Sequence, residues 1–319
     1  MSETPVPDPA SPPPDSTPRP VPPVQGLAPG TVADWRRWAA AELAGASDSP
    51  EADADVLLAS LLGLDRGRLA LTAGEAVEAA TVLRLASWIE RRRLGEPVAY
   101  ITGSQGFWTL DLAVDTRVLI PRPDTETLVE RALAIVRAEA LVATPCGPEA
   151  RHPYRIADLG TGSGAIALAL AAELPEAIAI TATDVSPAAL AVAGENARRL
   201  RLDRVRFLEG AWFAALPAEE RFELIVSNPP YIADGDRHLA ALRYEPRLAL
   251  TSGADGLDAI RELVGAAAGH LAGRGWLLLE HGHDQGSAVR ALLTAAGFTD
   301  VETQRDFGGH ERVSGGRRP

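Results

Sequence analysis

Apolar and polar residues recur with a helical period near the start of this chain. Between residues 31 and 95, apolar positions repeat in this way in three segments, 31–46, 49–65 and 76–95. A helix that shows one apolar face can pack that face against its neighbours. The pattern therefore predicts a small helical bundle over residues 31–95.

Two of the predicted helices carry start signals. Thr31 and Asp34 have the spacing of a capping box, and Ser49 is placed to cap a helix whose first position is Pro50. Such residues satisfy the backbone N–H groups that the first turn leaves unpaired.

Between residues 98 and 120, apolar residues recur at about every second position. Apolar and polar residues alternate there around Gly103 and Gly106, which predicts a β-hairpin in a linking segment, 96–121. A helix is expected to follow, with Pro123 and Asp124 near its start.

Beyond a loop at 143–154, the pattern repeats strand, turn and helix. Such alternation predicts an α/β domain over 122–319, with a mostly parallel sheet covered by helices on both faces. The last two strands have no helix between them and should pair as an antiparallel hairpin at the sheet edge. The predicted strands are 155–160, 177–184, 204–210, 222–227, 275–281, 299–307 and 310–317, and the helices are 165–174, 186–202, 257–271 and 285–297.

Composition and charge narrow the function classes. All 31 basic residues are arginine, and 43 acidic residues bring the net charge to −12. That balance argues against a protein that grips phosphate backbones, and it leaves room for a local basic patch or a protein partner. We expect a cytoplasmic location and no membrane association, because no signal peptide or membrane-spanning run occurs. We also expect a monomer that does not bind nucleic acid directly.

Two further features of the sequence do not indicate a catalytic or ligand-binding role. Residues 1–30 are rich in proline and poor in large apolar side chains, which predicts a disordered tail in preference to a polyproline ligand. The single cysteine, Cys146, excludes an intramolecular disulfide framework and is interpreted as an incidental thiol.

The glycine-rich turn "ADLGTGSGAIAL" joins a predicted strand to a predicted helix. Gly160, Gly162 and Gly164 would let the backbone approach a ligand closely. The same letters fit a dinucleotide fingerprint, and a turn that only packs the helix on the strand is also possible.

Asp184 ends the next predicted strand. A carboxylate there can accept hydrogen bonds from both ribose hydroxyls of a nucleoside ligand. The alternative is a helix-capping role, which Ser186 already fills. The loop and the carboxylate together favour nucleoside binding.

"SNPPY" follows the fourth strand of this unit, where ligands of open α/β sheets bind. The side-chain oxygen of Asn228 and the carbonyl of Pro229 offer two acceptors, and Tyr231 offers a flat face. This set is complementary to a planar –NH₂ group. Drawing both N–H bonds out of plane would localise the nitrogen lone pair and activate a poor nucleophile.

These motifs, with "VLIPRPDTETLVE", "RYEPRLAL", "GWLLLEHGHDQG" and "VETQRDFGGHERV", resemble the HemK/PrmC family of peptide chain release factor glutamine methyltransferases. The resemblance runs from about residue 31 to the end and is most specific from Pro97 onward. It implies a class I, Rossmann-like methyltransferase domain that uses S-adenosyl-L-methionine, releases S-adenosyl-L-homocysteine and needs no metal. The implied substrate is the Gly-Gly-Gln glutamine of class 1 release factors, which the helical domain helps to dock.

The resemblance also assigns residues. The loop would hold the methionine end of the cofactor, Asp184 the ribose, and Trp212 the adenine. Asn228 would touch both cofactor and substrate, and Asn228, Pro229 and Tyr231 would be catalytic. The cofactor loop is Gly160, Thr161, Gly162, Ser163 and Gly164, and the glutamine-binding stretch is Asn228, Pro229, Pro230 and Tyr231.

Several points depart from the family pattern or stay open. Ala211 stands where the family has an acidic residue before the tryptophan, which puts an adenine hydrogen bond in doubt, and Glu209 is not placed to replace it. Arg122 and Glu126 either line the cleft or fix the domains structurally. His281 and His283 are interpreted as structural or cleft-lining, without metal.

Two other activities fit parts of the pattern. An adenine-N6 methyltransferase of DNA or RNA could use the same Asn-Pro-Pro-Tyr pocket, but the net charge and the lack of a basic recognition region disfavour it. A nicotinamide-dependent oxidoreductase would explain only the glycine loop.

Overall fold

The computed structural model describes residues 30–139 and 154–319. The chain forms two compact units, Met1–Thr102 and Gly103–Pro319. Residues 1–29 of the predicted tail, and Cys146 with most of its loop, lie outside the described residues.

The first unit is helical where it is described. Its helices are α1 (Val32–Leu43), α2 (Pro50–Leu62), α3 (Arg66–Leu71), α4 (Ala79–Arg93) and α5 (Val98–Thr102). Their apolar faces enclose one buried cluster that includes Trp35, Leu43, Leu57 and Leu85. The predicted capping box is present, because the Thr31 hydroxyl accepts from the Asp34 amide and the Asp34 carboxylate accepts from Thr31. Ser49 occupies the predicted cap position without a side-chain hydrogen bond.

One part of the hairpin prediction is wrong. Residues 98–102 form helix α5, in which the amides of Tyr100 and Ile101 both donate to the carbonyl of Pro97. Ala99, Tyr100 and Ile101 are all buried, which an alternating strand on one face of a core could not achieve.

The hairpin itself begins the second unit. Strands β1 (Ser104–Phe107) and β2 (Leu110–Ala113) pair antiparallel, and Gly106 lies inside the ladder opposite Asp111. The turn is at Trp108, whose φ of 57° is left-handed although it is not glycine. The amide of Trp108 donates to Glu126 Oε1 at 2.8 Å, which holds this conformation from the following helix.

The remainder of the second unit alternates strands with helices as predicted. The strands are β3 (Arg155–Leu159), β4 (Ala179–Asp184), β5 (Arg206–Glu209), β6 (Phe222–Ser227), β7 (Leu271–Glu280), β8 (Thr299–Arg305) and β9 (Glu311–Arg317). The helices are α6 (Glu126–Glu139), α7 (Ala165–Glu173), α8 (Pro187–Leu200), α9 (Asp258–Ala267) and α10 (Gly286–Ala295). Two buried apolar clusters cover the sheet. One contains residues of α6, α7 and the edge of α8, and the other contains residues of α9 and α10.

The strand order is β5-β4-β3-β6-β7-β9-β8. The chain runs outward from β3 to β5 and then returns to place β6 on the other side of β3, so the order reverses between β3 and β6. Ligands of open α/β sheets bind at such a reversal, beside the carboxyl ends of the strands. The C-terminal hairpin is confirmed at the edge, with β9 inserted antiparallel between β7 and β8.

Within the described ranges, no helix is long and apolar enough to cross a membrane.

The helical core generates a stability prediction. Leu57→Ala removes a fully buried side chain from α2 and should lower the free energy of unfolding by about 2–5 kcal/mol, because a cavity remains. Leu71→Ala is the matched control in the same unit, since Leu71 is exposed and its loss should change stability by less than about 0.5 kcal/mol. Urea denaturation of the full chain measures both. Equal effects of the two substitutions would contradict this core assignment.

Candidate active site

The glycine loop between β3 and α7 borders a cavity and also packs the helix closely on the strand. Gly160 and Gly162 have positive φ and line a cavity of about 410 Å³. Gly164 has a φ of +85°, and a Cβ there would meet Leu168 Cδ1 at 2.9 Å. Gly164 therefore lets α7 pack closely, while the first two glycines border the cavity without side chains. Their amides already donate to the Thr183 carbonyl and to Asp184.

The other two loop residues form hydrogen bonds within the protein. Thr161 is buried and donates to Asp158 Oδ2 at 2.7 Å. Ser163 is also buried, and its carbonyl accepts from Asn196 Nδ2 at 2.9 Å. The Thr161 side chain and the Ser163 carbonyl thus brace the loop from within the protein.

Asp184 ties the end of β4 to the loop. Its Oδ2 accepts from the Gly162 amide at 2.9 Å, and its Oδ1 accepts from the Ser186 amide at 2.8 Å. Ser186 caps α8 by accepting from the Ala189 amide, as predicted. Each carboxylate oxygen has a second lone pair, so Asp184 lines the cavity with acceptor capacity to spare.

Trp212 closes one wall of the same cavity. A Cβ at Gly160 would lie 3.0 Å from Trp212 Cζ3, so only glycine allows the ring to lie this close to the loop. Trp212 has a φ of 47°, and its carbonyl accepts from the Thr183 hydroxyl at 3.3 Å. Ala211 lines the cavity beside it and offers no polar side-chain atom.

The Asn-Pro-Pro-Tyr stretch follows β6 directly. Ser227, the last residue of β6, donates to the Leu159 carbonyl at 2.6 Å and so joins the ends of β6 and β3. Pro229 is buried, whereas Asn228, Pro230 and Tyr231 are partly exposed. Among the described residues, none donates a hydrogen bond to the carbonyl of Pro229.

A second cavity, of about 300 Å³, lies beside this stretch. It is lined by Leu119, Arg122, Asn228, Tyr231, Leu242 and Leu250 among others. Asn228, Leu119 and Ala249 line both cavities, so the two spaces adjoin. One cavity is bordered by the glycine loop and Asp184, and the other by Tyr231, with Asn228 between them.

The segment after Tyr231 completes the second cavity. Ile232 pairs with Thr251 in a parallel bridge, in which the Ile232 amide donates to the Leu250 carbonyl at 2.9 Å. Gln285 Nε2 donates to the Tyr231 carbonyl at 3.0 Å. A Cβ at Gly256 would meet that carbonyl at 2.2 Å, which explains the glycine.

The open alternatives for Arg122 and Glu126 are now resolved. Arg122 lines the second cavity and forms an ion pair with Glu245, whose side chain is buried. Glu245 Oε2 also accepts from the Ile120 amide at 3.1 Å. Glu126 instead holds the Trp108 turn. Arg122 is therefore both cleft-lining and structural, and Glu126 is structural.

Asn228 and Tyr231 each form a hydrogen bond to a buried polar side chain. Asn228 Nδ2 donates to Thr125 Oγ1 at 3.1 Å, and the Tyr231 hydroxyl donates to Glu280 Oε1 at 3.3 Å. Glu280 is fully buried at the end of β7, and burial raises the pKa of its carboxyl to about 7. Burial, with the nearby Glu280 carboxyl, also raises the pKa of the Tyr231 hydroxyl, so this hydroxyl stays protonated.

The histidines of "EHGHDQ" have structural partners. His281 is fully buried, and its two ring nitrogens lie 2.8 Å from Ser314 Oγ and from the Gly282 carbonyl. The ring of His283 contacts that of His310 edge to face. In residues 30–139 and 154–319, no cluster of three or more histidine, cysteine or acidic side chains is suited to hold a metal ion.

Sequence reasoning missed Asp158, Thr125, Glu245 and Glu280. Asp158 is the next-to-last residue of β3 and Glu280 is the last residue of β7, and both follow apolar residues. A charged residue in such a position is the sequence signal that could have identified them. Thr125 and Glu245 gave no such signal, because their importance lies in contacts between distant segments.

Comparison with known families gives two matches. Residues 34–103 match the PrmC N-terminal domain, and residues 143–244 match the methyltransferase small domain. The release factor glutamine methyltransferase of Xylella fastidiosa (strain Temecula1) is 49% identical over 84% of this chain and 93% of its own length. The enzyme of the same name from Burkholderia pseudomallei is 49% identical over 88% of this chain and 96% of its own length.

The solved structures that resemble this chain support the fold. The catalytic domain of hMettl16, crystallised with MAT2A 3′UTR hairpin 1, aligns with a TM-score of 0.50 over 74% of this chain and 79% of that chain. At 14% identity, this likeness shows a shared methyltransferase fold and nothing more.

The buried carboxyl of Asp158 generates a pH prediction. Burial raises its pKa from 3.8 to about 7, so the folded chain holds a proton that the unfolded chain releases from about pH 4 upward. Stability from this group is complete below pH 4 and is lost as the pH rises through 7. Asp158→Asn cannot titrate, so its unfolding free energy should fall less between pH 5 and 8, by on the order of 2–3 kcal/mol.

Chemical denaturation at four pH values between 5 and 8 measures this difference. Asp203→Asn is the control, because Asp203 is an exposed aspartate and its removal should leave the wild-type pH dependence unchanged. The same pH dependence in Asp158→Asn and wild type would contradict the prediction.

Proposed function

Because the chain belongs to the family of release factor glutamine methyltransferases, we propose that it methylates the side-chain amide nitrogen of a glutamine in a release factor, with S-adenosyl-L-methionine as donor. The glutamine is that of the Gly-Gly-Gln motif of class 1 peptide chain release factors. The family assignment supplies the reaction, and the site suggests how this chain performs it.

One observation carries the proposal, namely that two cavities adjoin at Asn228. Methyl transfer needs a donor pocket and an acceptor pocket that open to each other at the reacting atoms. The larger cavity has the glycine loop, Asp184 and Trp212, and the smaller has Tyr231 and the segment after it. Both lie at the carboxyl ends of β3, β4 and β6, at the reversal of strand order.

The residues present fit the cofactor. A volume of about 410 Å³ is within the range of small-molecule sites. Asp184 keeps acceptor capacity for ribose hydroxyls, and the Trp212 ring offers a flat face for adenine. Gly160 and Gly162 have no side chains and leave room in the cavity for the methionine end. Ala211 provides no hydrogen bond to adenine from its side chain, so any polar contact with the base comes from other groups that line the cavity.

When bound, S-adenosyl-L-methionine supplies a methyl group on a positively charged sulfur, and S-adenosyl-L-homocysteine remains after transfer. The chain's own contribution is to orient the acceptor. Asn228 Oδ1 and the Pro229 carbonyl accept the two N–H bonds of the glutamine amide and favour a pyramidal nitrogen whose lone pair points at the methyl carbon. The face of Tyr231 holds the amide plane.

Proton transfer needs no strong base on this chain. Once the nitrogen carries the methyl group it is cationic, and it loses one N–H proton to water. The catalytic advantage comes from geometry and from fixed acceptors more than from acid–base chemistry.

The proposed reaction gives a direct test. The protein is incubated with radiolabelled S-adenosyl-L-methionine and either purified class 1 release factor or nucleic acid. Label is expected on the glutamine of the Gly-Gly-Gln peptide after proteolysis. Label in nucleic acid with none in the release factor would overturn the proposal and favour an adenine-N6 activity.

Asn228 should be essential for turnover. Asn228→Ala removes one of the two proposed acceptors and should lower kcat by about 100-fold or more. Loss of its hydrogen bond to Thr125 should lower the free energy of unfolding by only about 1 kcal/mol, so the variant still folds. A variant that folds normally and turns over like wild type would show that the acceptor has been assigned to the wrong residue.

Asp184 should act on cofactor affinity. Asp184→Asn keeps the shape but removes the charge and one acceptor, so the Kd for S-adenosyl-L-methionine in calorimetry should rise about tenfold or more. The exposed Asp203→Asn serves as the matched control and should bind like wild type. Equal affinity in both variants would remove Asp184 from the cofactor site.

A further inference from the structure

We propose that Glu262, on helix α9, accepts a hydrogen bond from the exocyclic amino group of the cofactor's adenine and so makes the larger cavity selective for this base. The inference rests on the cofactor use proposed above and deepens it. It adds to that site a residue from an element that the glycine loop, Asp184 and Trp212 do not include.

The larger cavity has apolar surface on which a flat base can lie. Val185 directly follows Asp184, the residue proposed for the ribose, and the Trp212 ring closes one wall. Val185 and Leu248 are large apolar side chains that are exposed to solvent, and both line this cavity. A bound adenine ring would cover such surface, and removing it from water favours binding.

These side chains leave the amino group of the base without an acceptor. Val185, Ala211 and Leu248 have no polar side-chain atom, and the indole of Trp212 can only donate. The adenine amino group is itself a donor, and it loses hydrogen bonds to water when the base enters a cavity. A side chain that accepts from it must therefore come from another element of the lining.

Three carboxylates line the larger cavity, and they differ in what already binds them. Asp184 accepts from two backbone amides. Asp258 Oδ1 accepts from Arg261 Nη1 at 2.9 Å, and its Oδ2 packs against Gly253. Within residues 30–139 and 154–319, no group forms a hydrogen bond or an ion pair with the carboxylate of Glu262. Both of its oxygens are thus available to a ligand.

The packing of α9 places Glu262 beside the wall that carries Trp212. The buried face of α9 includes Ile260 and Leu263, which share an apolar cluster with Phe213 of the 3₁₀ turn Trp212–Ala215. Glu262 lies on the exposed face of the helix and lines the cavity. The apolar core therefore fixes this helix against the turn that begins with the cavity's indole ring.

The chemistry of a carboxylate suits adenine and opposes other purines. An ionised carboxylate can only accept hydrogen bonds, and the amino group of adenine offers hydrogens to donate. A base with a carbonyl at the same ring position would present an acceptor to an acceptor. Since Glu262 is exposed, water competes for the bond, and we expect its loss to change affinity by about three- to tenfold.

Calorimetry on the full chain with three ligands tests this contact. The ligands are S-adenosyl-L-homocysteine, its analogue in which hydrogen replaces the adenine amino group, and 5′-methylthioadenosine, which keeps the base and lacks the amino acid. Glu262→Ala should raise the Kd of S-adenosyl-L-homocysteine and of 5′-methylthioadenosine by the same factor, about three- to tenfold. The Kd of the analogue without the amino group should not change.

A control variant and a kinetic measurement accompany the binding data. Glu219→Ala removes an exposed glutamate that lines neither cavity, and it should bind all three ligands like wild type. In methylation assays, Glu262→Ala should raise the KM for S-adenosyl-L-methionine and leave kcat unchanged. The reason is that a contact with the base is equally strong in the ground state and in the transition state.

Three results would overturn the inference. The first is unchanged affinity of Glu262→Ala for S-adenosyl-L-homocysteine. The second is equal loss of affinity for the ligands with and without the amino group, which would indicate a general effect of charge or shape. The third is a loss confined to S-adenosyl-L-homocysteine and absent for 5′-methylthioadenosine, which would place Glu262 at the amino-acid end.

The binding data separate this inference from the proposed function. They need no release factor, so a wild-type protein that binds the cofactor product but leaves the release factor unlabelled refutes the proposed substrate alone. A wild-type protein that binds neither S-adenosyl-L-homocysteine nor 5′-methylthioadenosine refutes the proposed cofactor, and the role of Glu262 with it.

Discussion

The parallel pairing of β3 with β6 is the interaction on which the site depends. Ile156, Ala157 and Asp158 lie in register with Leu224, Ile225 and Val226. Parallel strands end at the same edge of a sheet, so the glycine loop after β3 and the Asn-Pro-Pro-Tyr stretch after β6 emerge side by side. The bond from Ser227 Oγ to the Leu159 carbonyl fastens these ends together. Without this register the two cavities would not adjoin.

Much of this arrangement could be predicted because it follows from local patterns. The alternation of strands and helices placed Asp184 and Asn228 at strand ends, and strand ends of one parallel sheet converge. Short-range signals were less reliable. Residues 98–102 alternate in the sequence but fold as helix α5 after Pro97, and the hairpin turns at Trp108 and not at a glycine, because Glu126 holds that backbone from another element.

The contacts that orient the site could not be read from the sequence. Thr125, Glu245 and Glu280 act through partners up to 125 positions away, such as Ile120 for Glu245. A single chain shows residue types and periods, whereas these roles exist only when distant segments meet. Asp158 and Glu280 are both fully buried, and burial raises the pKa of each carboxyl, which is the cost of placing an acid at the apolar end of a strand. Such a cost is typical of positions selected for function over stability.

The two halves of the site differ in how firmly they are held. The larger cavity is built on the paired ends of β3 and β4. The wall of the smaller cavity is the segment between β6 and α9, which is held by the Ile232–Thr251 bridge and by bonds such as that from Gln285. Free energies of local opening are lower where strand ladders are absent. Amide hydrogens of this segment should therefore exchange sooner than those of the sheet, so the wall of the smaller cavity yields before that of the larger one.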